Sequence, residues 1–358
     1  MAQQLKFSKV IHTISRQLIY ALLFASCVTP VDIKTTRIGG RLAISGQIST
    51  IKDQNIIELG RTADESRIPF PLSGASIKLL DNSGQAYIFT EGIYRPGVYT
   101  LSQFSGIPGK TYHIQINLSS GEVYESAFEQ MAQSVGKVST RYEAKYEKFI
   151  DSEGTLLTQP FLKVYANAEL PPNNYIKWNV WEDFLLSPTD FPDPFGYTPP
   201  PCFISQNADP QRVTLFNGVE LKSSSTSNLL LSSRLFDYSF FERHYFTTYQ
   251  SSMTKEAYEY WRQLNILANQ TGSIFDTPPA EITGNIHNVN DPTEKVYGYF
   301  QAVNQTFDRF YTLKEDLPFR ATWTTCTYAD ERNYSTYPPR CLECLTVRNS
   351  TYNRPTWF

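Results

Sequence analysis

The chain has 358 residues, 41% hydrophobic and 14% aromatic, with a formal net charge of −3. That apolar content fits a folded globular protein and excludes a disordered one. The slightly acidic balance, without clustered Lys and Arg, excludes a nucleic-acid footprint.

Residues 1–26 carry Lys6, Lys9 and Arg16 and no acid, then a short apolar run from Leu18 to Ala25 closed by small residues before Cys27. A basic n-region, an h-region and a cleavage site in that order predict an export signal. The run is far short of the ~20 apolar residues that a spanning helix needs. Leu23-Phe24-Ala25-Ser26-Cys27 resembles a bacterial lipobox, where the peptidase cuts before a Cys whose sulfur accepts a diacylglyceryl group. Cys27 is the candidate lipidation site, and several acyl chains together give stable anchoring where one alone is marginal. Loss of residues 1–26, with three positive charges and no negative ones, takes the net charge from −3 to −6.

Between Arg41 and Ser126 the sequence reads as short alternating segments: 41–49, 75–81, 86–90, 97–101, 111–118 and 122–126. Turn signals separate them at 82–84, 95–97, 105–109 and 119–121, a spacing that predicts a small all-β sandwich. The stretch 71–84 followed by Gly97-Val98-Tyr99 resembles transthyretin-like or carboxypeptidase-regulatory-like domains. An Ig-like sandwich over residues 27–130 is the expectation, with a larger β-rich domain over 131–358.

In that second region, 160–170 and 174–186 alternate as half-buried strands do, with Tyr175, Trp178 and Trp181 read as core. The loop 187–202 is too rich in proline for regular structure, and its Phe191, Phe195 and Tyr197 cannot all be buried by the loop itself. They are partner-surface candidates, since long loops of this sort are either functional or disordered. Strands resume at 212–218 and 244–250. One amphipathic helix is predicted over 254–269, with Thr254 as its cap, Glu256 in its first turn and Ala257, Trp261, Leu264 and Ala268 on one stripe, Tyr260 and Leu267 beside it. Residues 276–288 are turn-rich, and 296–313 reads as a pair of strands. The fold class is mainly β.

With export expected, Cys202, Cys326, Cys341 and Cys344 become disulfide candidates, their connectivity open among three pairings. The Cys341 and Cys344 pair lacks the following helix that depresses a redox thiol. Single ligands from Cys202 and Cys326 do not match the close-spaced pairs of structural zinc sites.

No metal or cofactor is expected. His113 and His244 fall in strands, as solvent-facing or hydrogen-bonded rings, and His287 falls in a loop without a neighbouring acid or nucleophile. No phosphate-binding loop, dinucleotide fingerprint, zinc-protease helix or serine elbow is present in the sequence. The pairs Glu182 with Asp183 and Asp190 with Asp193 lack the alternating ligands of a calcium loop. No catalytic residue is assigned, and Asp276 and Glu281 are the acids to substitute if the chain is a hydrolase.

The segments 256–261, 271–286 and 296–300, the Cys341-Leu342-Glu343-Cys344 run and the ending Arg354-Pro355-Thr356-Trp357-Phe358 form a recognisable set. With the lipobox and the sandwich, they resemble the Bacteroidota lipoproteins grouped as domain of unknown function 4249, whose usual ending, Pro-x-Phe-Trp, has its last two residues reversed here. The resemblance implies an outer-membrane setting beside a TonB-dependent transporter and supplies no catalytic residues. The functional expectation is a non-enzymatic, lipid-anchored accessory protein for nutrient capture or uptake. An adhesin or structural spacer is the alternative.

Overall fold

Period-two alternation becomes ten strands in the first part of the chain: β1 (Leu42–Ser49), β2 (Ile56–Arg61), β3 (Phe70–Pro71), β4 (Ser76–Asp81), β5 (Ala86–Ile88), β6 (Thr90–Gly92), β7 (Arg95–Thr100), β8 (Thr111–Asn117), β9 (Val123–Ser126) and β10 (Glu129–Gln130). The computed structural model describes residues 40–62, 70–93, 95–150, 153–186, 200–269, 282–319, 343–347 and 349–358. Leu42, Ile44 and Ile48 of β1, Ile57 and Leu59 of β2 and Tyr99 of β7 meet Ile77, Leu79, Ile114, Ile116 and Tyr124 from the facing sheet. Every one of them is buried, and each such side chain contributes ~1.5–3 kcal/mol.

The rest of the chain supplies β11 (Val138–Ile150), β12 (Leu156–Glu169), β13 (Tyr175–Leu186), β14 (Cys202–Asn207), β15 (Thr214–Asn217), a four-residue helix α1 (Gly218–Leu221), β16 (Ser225–Leu235), β17 (His244–Met253), helix α2 (Lys255–Asn269), β18 (Ile286–Asn288), β19 (Tyr297–Thr312) and β20 (Ser350–Thr351). The structure is mainly β, as expected. Residues 296–313, expected as a pair of strands, hold the single 16-residue strand β19.

A long sheet runs β20-β14-β13-β17-β19-β1-β2-β7-β6, with β15 and β3 at its sides. Strands from both ends of the sequence therefore share it. Parallel pairing of β1 with β19 sets Ile44 beside Gly298 and Ile48 beside Ala302. Gly298 has φ +102°, and a Cβ there would collide with the Ile44 carbonyl, so glycine is required for the approach. A six-stranded sheet, β18-β9-β8-β4-β5 with β10 on β8, covers the β1 end of one face. The three-stranded sheet β11-β12-β16 covers the β13 end, where Leu162, Val164 and Ala166 meet Trp178, Val180 and Phe246.

We call this covered side the inner face. On β19 it takes the even positions, with Phe300 and Ala302 in one core and Phe310 against the other. Between those cores the central strands carry Gln250, Asn304 and Asp308, which would be odd choices for an apolar interior. The crossing segment 131–140 explains them. Asn304 Nδ2 donates to the Ala132 carbonyl (3.0 Å), Gln250 Nε2 to the Val135 and Glu169 carbonyls (2.6 and 3.0 Å), and Asp308 Oδ2 accepts from the Thr140 amide (2.7 Å). Backbone groups of a segment that crosses the sheet need partners, and these side chains supply them.

Helix α2 packs on the opposite, outer face, with Ala257 and Tyr258 against Tyr299 and Val303, and Tyr260 and Trp261 beside them. The Thr254 hydroxyl accepts from the Ala257 amide (3.2 Å), the cap read from the sequence. It also donates to Glu129 Oε2 (2.7 Å), while Tyr299 and Asn285 donate to Glu129 Oε1 (2.5 and 3.2 Å). One carboxylate thus joins β10, β19 and the start of the helix. The expected stripe holds only in part, because Leu267 and Ala268 are exposed at the far end.

Candidate functional site

Two polar clusters flank β13, one on each face. Glu182 and Asp183 are adjacent in sequence and so point to opposite sides of the sheet.

On the inner face, Glu182 Oε2 accepts from Arg234 Nε (2.8 Å) and faces His244 Nε2 (3.1 Å), while Gln206 Nε2 donates to Oε1 (2.6 Å). Arg234 also donates to Asp237 Oδ2 (3.1 Å) and the Leu235 carbonyl (2.6 Å). His244 is wholly buried and stacks between Phe184 (5.1 Å) and Phe240 (4.2 Å). Burial works against the Glu182 charge, but His244 and Arg234 outweigh it and hold the carboxyl below its usual range. A cleft of about 450 Å³ opens here, lined by Glu182, Gln206, Asp209, Ser233 and Arg234. Glu182 has partners on both oxygens, so it acts as a clamp joining β13, β14, β16 and β17 rather than as a reactive acid.

The outer face is different. Cross-strand register lays out three rows over β13, β17 and β19: Asn179, Tyr249 and Phe307; Trp181, Thr247 and Arg309; Asp183, Tyr245 and Tyr311. Phe307 and Tyr311 are 46% and 48% exposed. The C-terminal segment adds Trp357, 42% exposed. It reaches this face because Cys202 is bonded to Cys344, β20 pairs with β14, and the Phe358 ring rests on Phe203 (4.9 Å) and Tyr245 (5.1 Å).

Arg309 lies at the centre of this face. Its Nε donates to Thr247 Oγ1 (2.7 Å), and its guanidinium carbon lies 4.2 Å from the Trp357 ring centroid and 5.4 Å from that of Phe307. Burial pushes the Asp183 carboxyl up, offset in part by Ser205 and by the charge of Arg309. Burial likewise pushes the Tyr249 hydroxyl up. Large aromatic surfaces around a stacked guanidinium on rigid central strands suit recognition, and no nucleophile and base pair lies among these rows.

Of the residues singled out in the sequence, Cys202 and Cys344 are joined, with Cα atoms 6.1 Å apart. Trp178 is core, and Tyr175 and Trp181 are half-buried. The His113 ring lies tilted against Phe128 (4.3 Å), His244 belongs to the inner clamp, and His287 is exposed on β18 rather than in a loop. Cys27, Phe191, Phe195, Tyr197, Asp276, Glu281, Cys326 and Cys341 lie outside the described residues. Among the described residues, no three His, Cys, Asp or Glu are grouped to hold a metal ion. Arg309 and Thr247 were not singled out, and Trp357 was named only as part of the C-terminal ending. The alternation of Phe307, Arg309 and Tyr311 on one face of a strand was the available signal.

Fold and face together define a mainly β protein that displays exposed aromatic side chains on one side of a long mixed sheet. A family model described as "Domain of unknown function (DUF4249)" matches residues 28–309, and the chain belongs to that family. No curated protein matches it.

Proposed function

We propose that the chain is a lipid-anchored outer-membrane accessory protein, tethered through Cys27, that partners a TonB-dependent transporter in nutrient capture or uptake. The observation that carries this reading is the outer face, where Phe307 and Tyr311 expose wide ring surfaces on a strand held rigid by the sheet and Trp357 adds its ring from the C-terminal segment. Such rings give large contact area with few rotors, as interface and ligand anchors do. Two features support the setting. The bond between Cys202 and Cys344 suits an oxidising compartment, and the family match begins at residue 28, directly after the lipobox-like Cys27.

Affinity purification of a tagged copy from outer membranes tests the proposal. Recovery of a TonB-dependent transporter is expected, as is loss of membrane association in Cys27→Ala. Recovery of no transporter overturns it.

A further inference from the structure

Arg309 differs from three other described arginines of the second half. Arg234, Arg212 and Arg262 each have a carboxylate within ion-pair distance, on Glu182, Asp209 and Glu259 respectively. Arg309 has none among the described residues. Its immediate polar neighbours are hydroxyls, those of Thr247 and Tyr249. The nearby acid, Asp183, is buried and not within ion-pair distance, and burial pushes its carboxyl up. A half-buried guanidinium is costly to leave without an anion, yet this one is held by the Thr247 hydroxyl with the Phe307 and Trp357 rings beside it.

A second cation stands two rungs away on the same face. Arg243 lies 4.8 Å from the Tyr311 ring centroid and donates to the Tyr245 hydroxyl (3.3 Å), again with no carboxylate at ion-pair distance among the described residues. In a chain with a net charge of −3, two arginines without acids beside exposed aromatic rings are not a consequence of excess positive charge.

We infer that the outer face around Arg309 is a binding site for a ligand that carries a carboxylate on a flat, apolar body. The planar fork of the guanidinium matches a carboxylate, and its stacked position limits the freedom lost on binding. The flat body lies against Phe307, Tyr311 and Trp357. Arg243 gives a second acidic group of the ligand a counter-charge across Tyr311. This deepens the proposed function by naming the ligand class, and it rests on that reading of the face as a recognition surface.

Titration calorimetry on the full chain in detergent, with benzoate, its uncharged isostere benzamide, and acetate as probes, tests the site. Benzoate is expected to bind at least tenfold more tightly than either of the others. Arg309→Met should weaken benzoate by about 10- to 100-fold, the range expected for loss of a charge-assisted hydrogen-bonded pair. Arg309→Lys, which keeps the charge and loses the fork, should weaken it by about tenfold, and Trp357→Ala by severalfold. Unchanged thermal melting of each variant separates lost binding from lost folding. Equal affinity for benzoate and benzamide, or benzoate binding unchanged in both Arg309 variants, overturns the inference. The measurement needs no transporter, so its failure is distinct from failure of the pull-down.

Discussion

The ammonium nitrogen of Lys177 lies 3.4 Å from the ring centroid of Trp261, sealing a lysine that is 2% exposed between β13 and helix α2. No carboxylate stands within ion-pair distance among the described residues, so the ring face is its main electrostatic partner. Burial pulls the Lys177 pKa down to about 7. Between that value and the ordinary lysine range the unfolded chain holds a proton that the folded chain has lost, so stability rises with pH across this window. Below about pH 7 both states are charged and the burial penalty is fully present. Lys177→Met is expected to stabilise the protein at pH 7 by about 1–3 kcal/mol and to flatten the rise toward alkaline pH. Urea melts at pH 6 to 10 check this, and a parallel rise in both proteins would contradict it.

Gln250 serves the crossing segment and the core together, since Trp178 Nε1 donates to its Oε1 (2.8 Å) while its Nε2 reaches two carbonyls. Gln250→Leu is close in size but leaves a buried indole N–H and two backbone acceptors without their partner. A loss of about 2–4 kcal/mol is expected, above the usual cost of one orphaned group. Hydrogen exchange should speed up across residues 131–137 and Trp178 before it does in the core between β1 and β8. Uniform acceleration would show that the segment is held by something else.

This polar spine also marks where sequence reading stopped. Strands with one apolar face, such as β1, β4 and β8, announce themselves by alternation. The start of α2 was legible because Thr254 caps it locally. The central strands were harder, because Gln250, Gln301 and Asn304 answer to a segment and neighbours far along the chain. Their polarity made the middle of β19 look like a break. Strand β16 was missed because Ser223 to Ser233 contributes mostly small hydroxyl side chains, which read as turn rather than ladder. The outer face was the least legible. Arg309 meets Thr247 only through cross-strand register, and Trp357 only through a tail held by a disulfide, and neither leaves a trace in local spacing.

That disulfide yields a prediction of its own. Cys202 and Cys344 are 142 residues apart in sequence, and closing so long a loop is worth about 3–5 kcal/mol by restriction of the unfolded chain. The Cys202→Ser and Cys344→Ser double variant should lose stability on that scale. It should also raise the solvent exposure of Tyr245 and Phe203, since the Phe358 ring is no longer delivered to them. Thermal melts with and without reductant, read beside tyrosine fluorescence quenching, check both parts. Equal quenching in the two redox states would mean that the aromatic contacts hold the tail unaided.

The Glu182 clamp should fail under acid and under substitution. Its folded pKa lies below the ordinary glutamate range, so its contribution is complete above about pH 4.5 and is lost as pH falls through the lower folded value. Glu182→Gln leaves the Arg234 guanidinium buried without its nearest anion, a change that costs about 3–5 kcal/mol when a buried pair is broken from one side. The two effects overlap, because the variant has already lost the group that titrates. Melts of wild type should weaken as pH falls below about 4.5, the ordinary glutamate value, while the variant, weaker throughout, shows a shallower fall. If Glu182→Gln kept the full acid dependence, the responsible carboxylate would have to be sought elsewhere, with Asp81 at the end of β4 and its Lys110 partner (2.8 Å) the next to test.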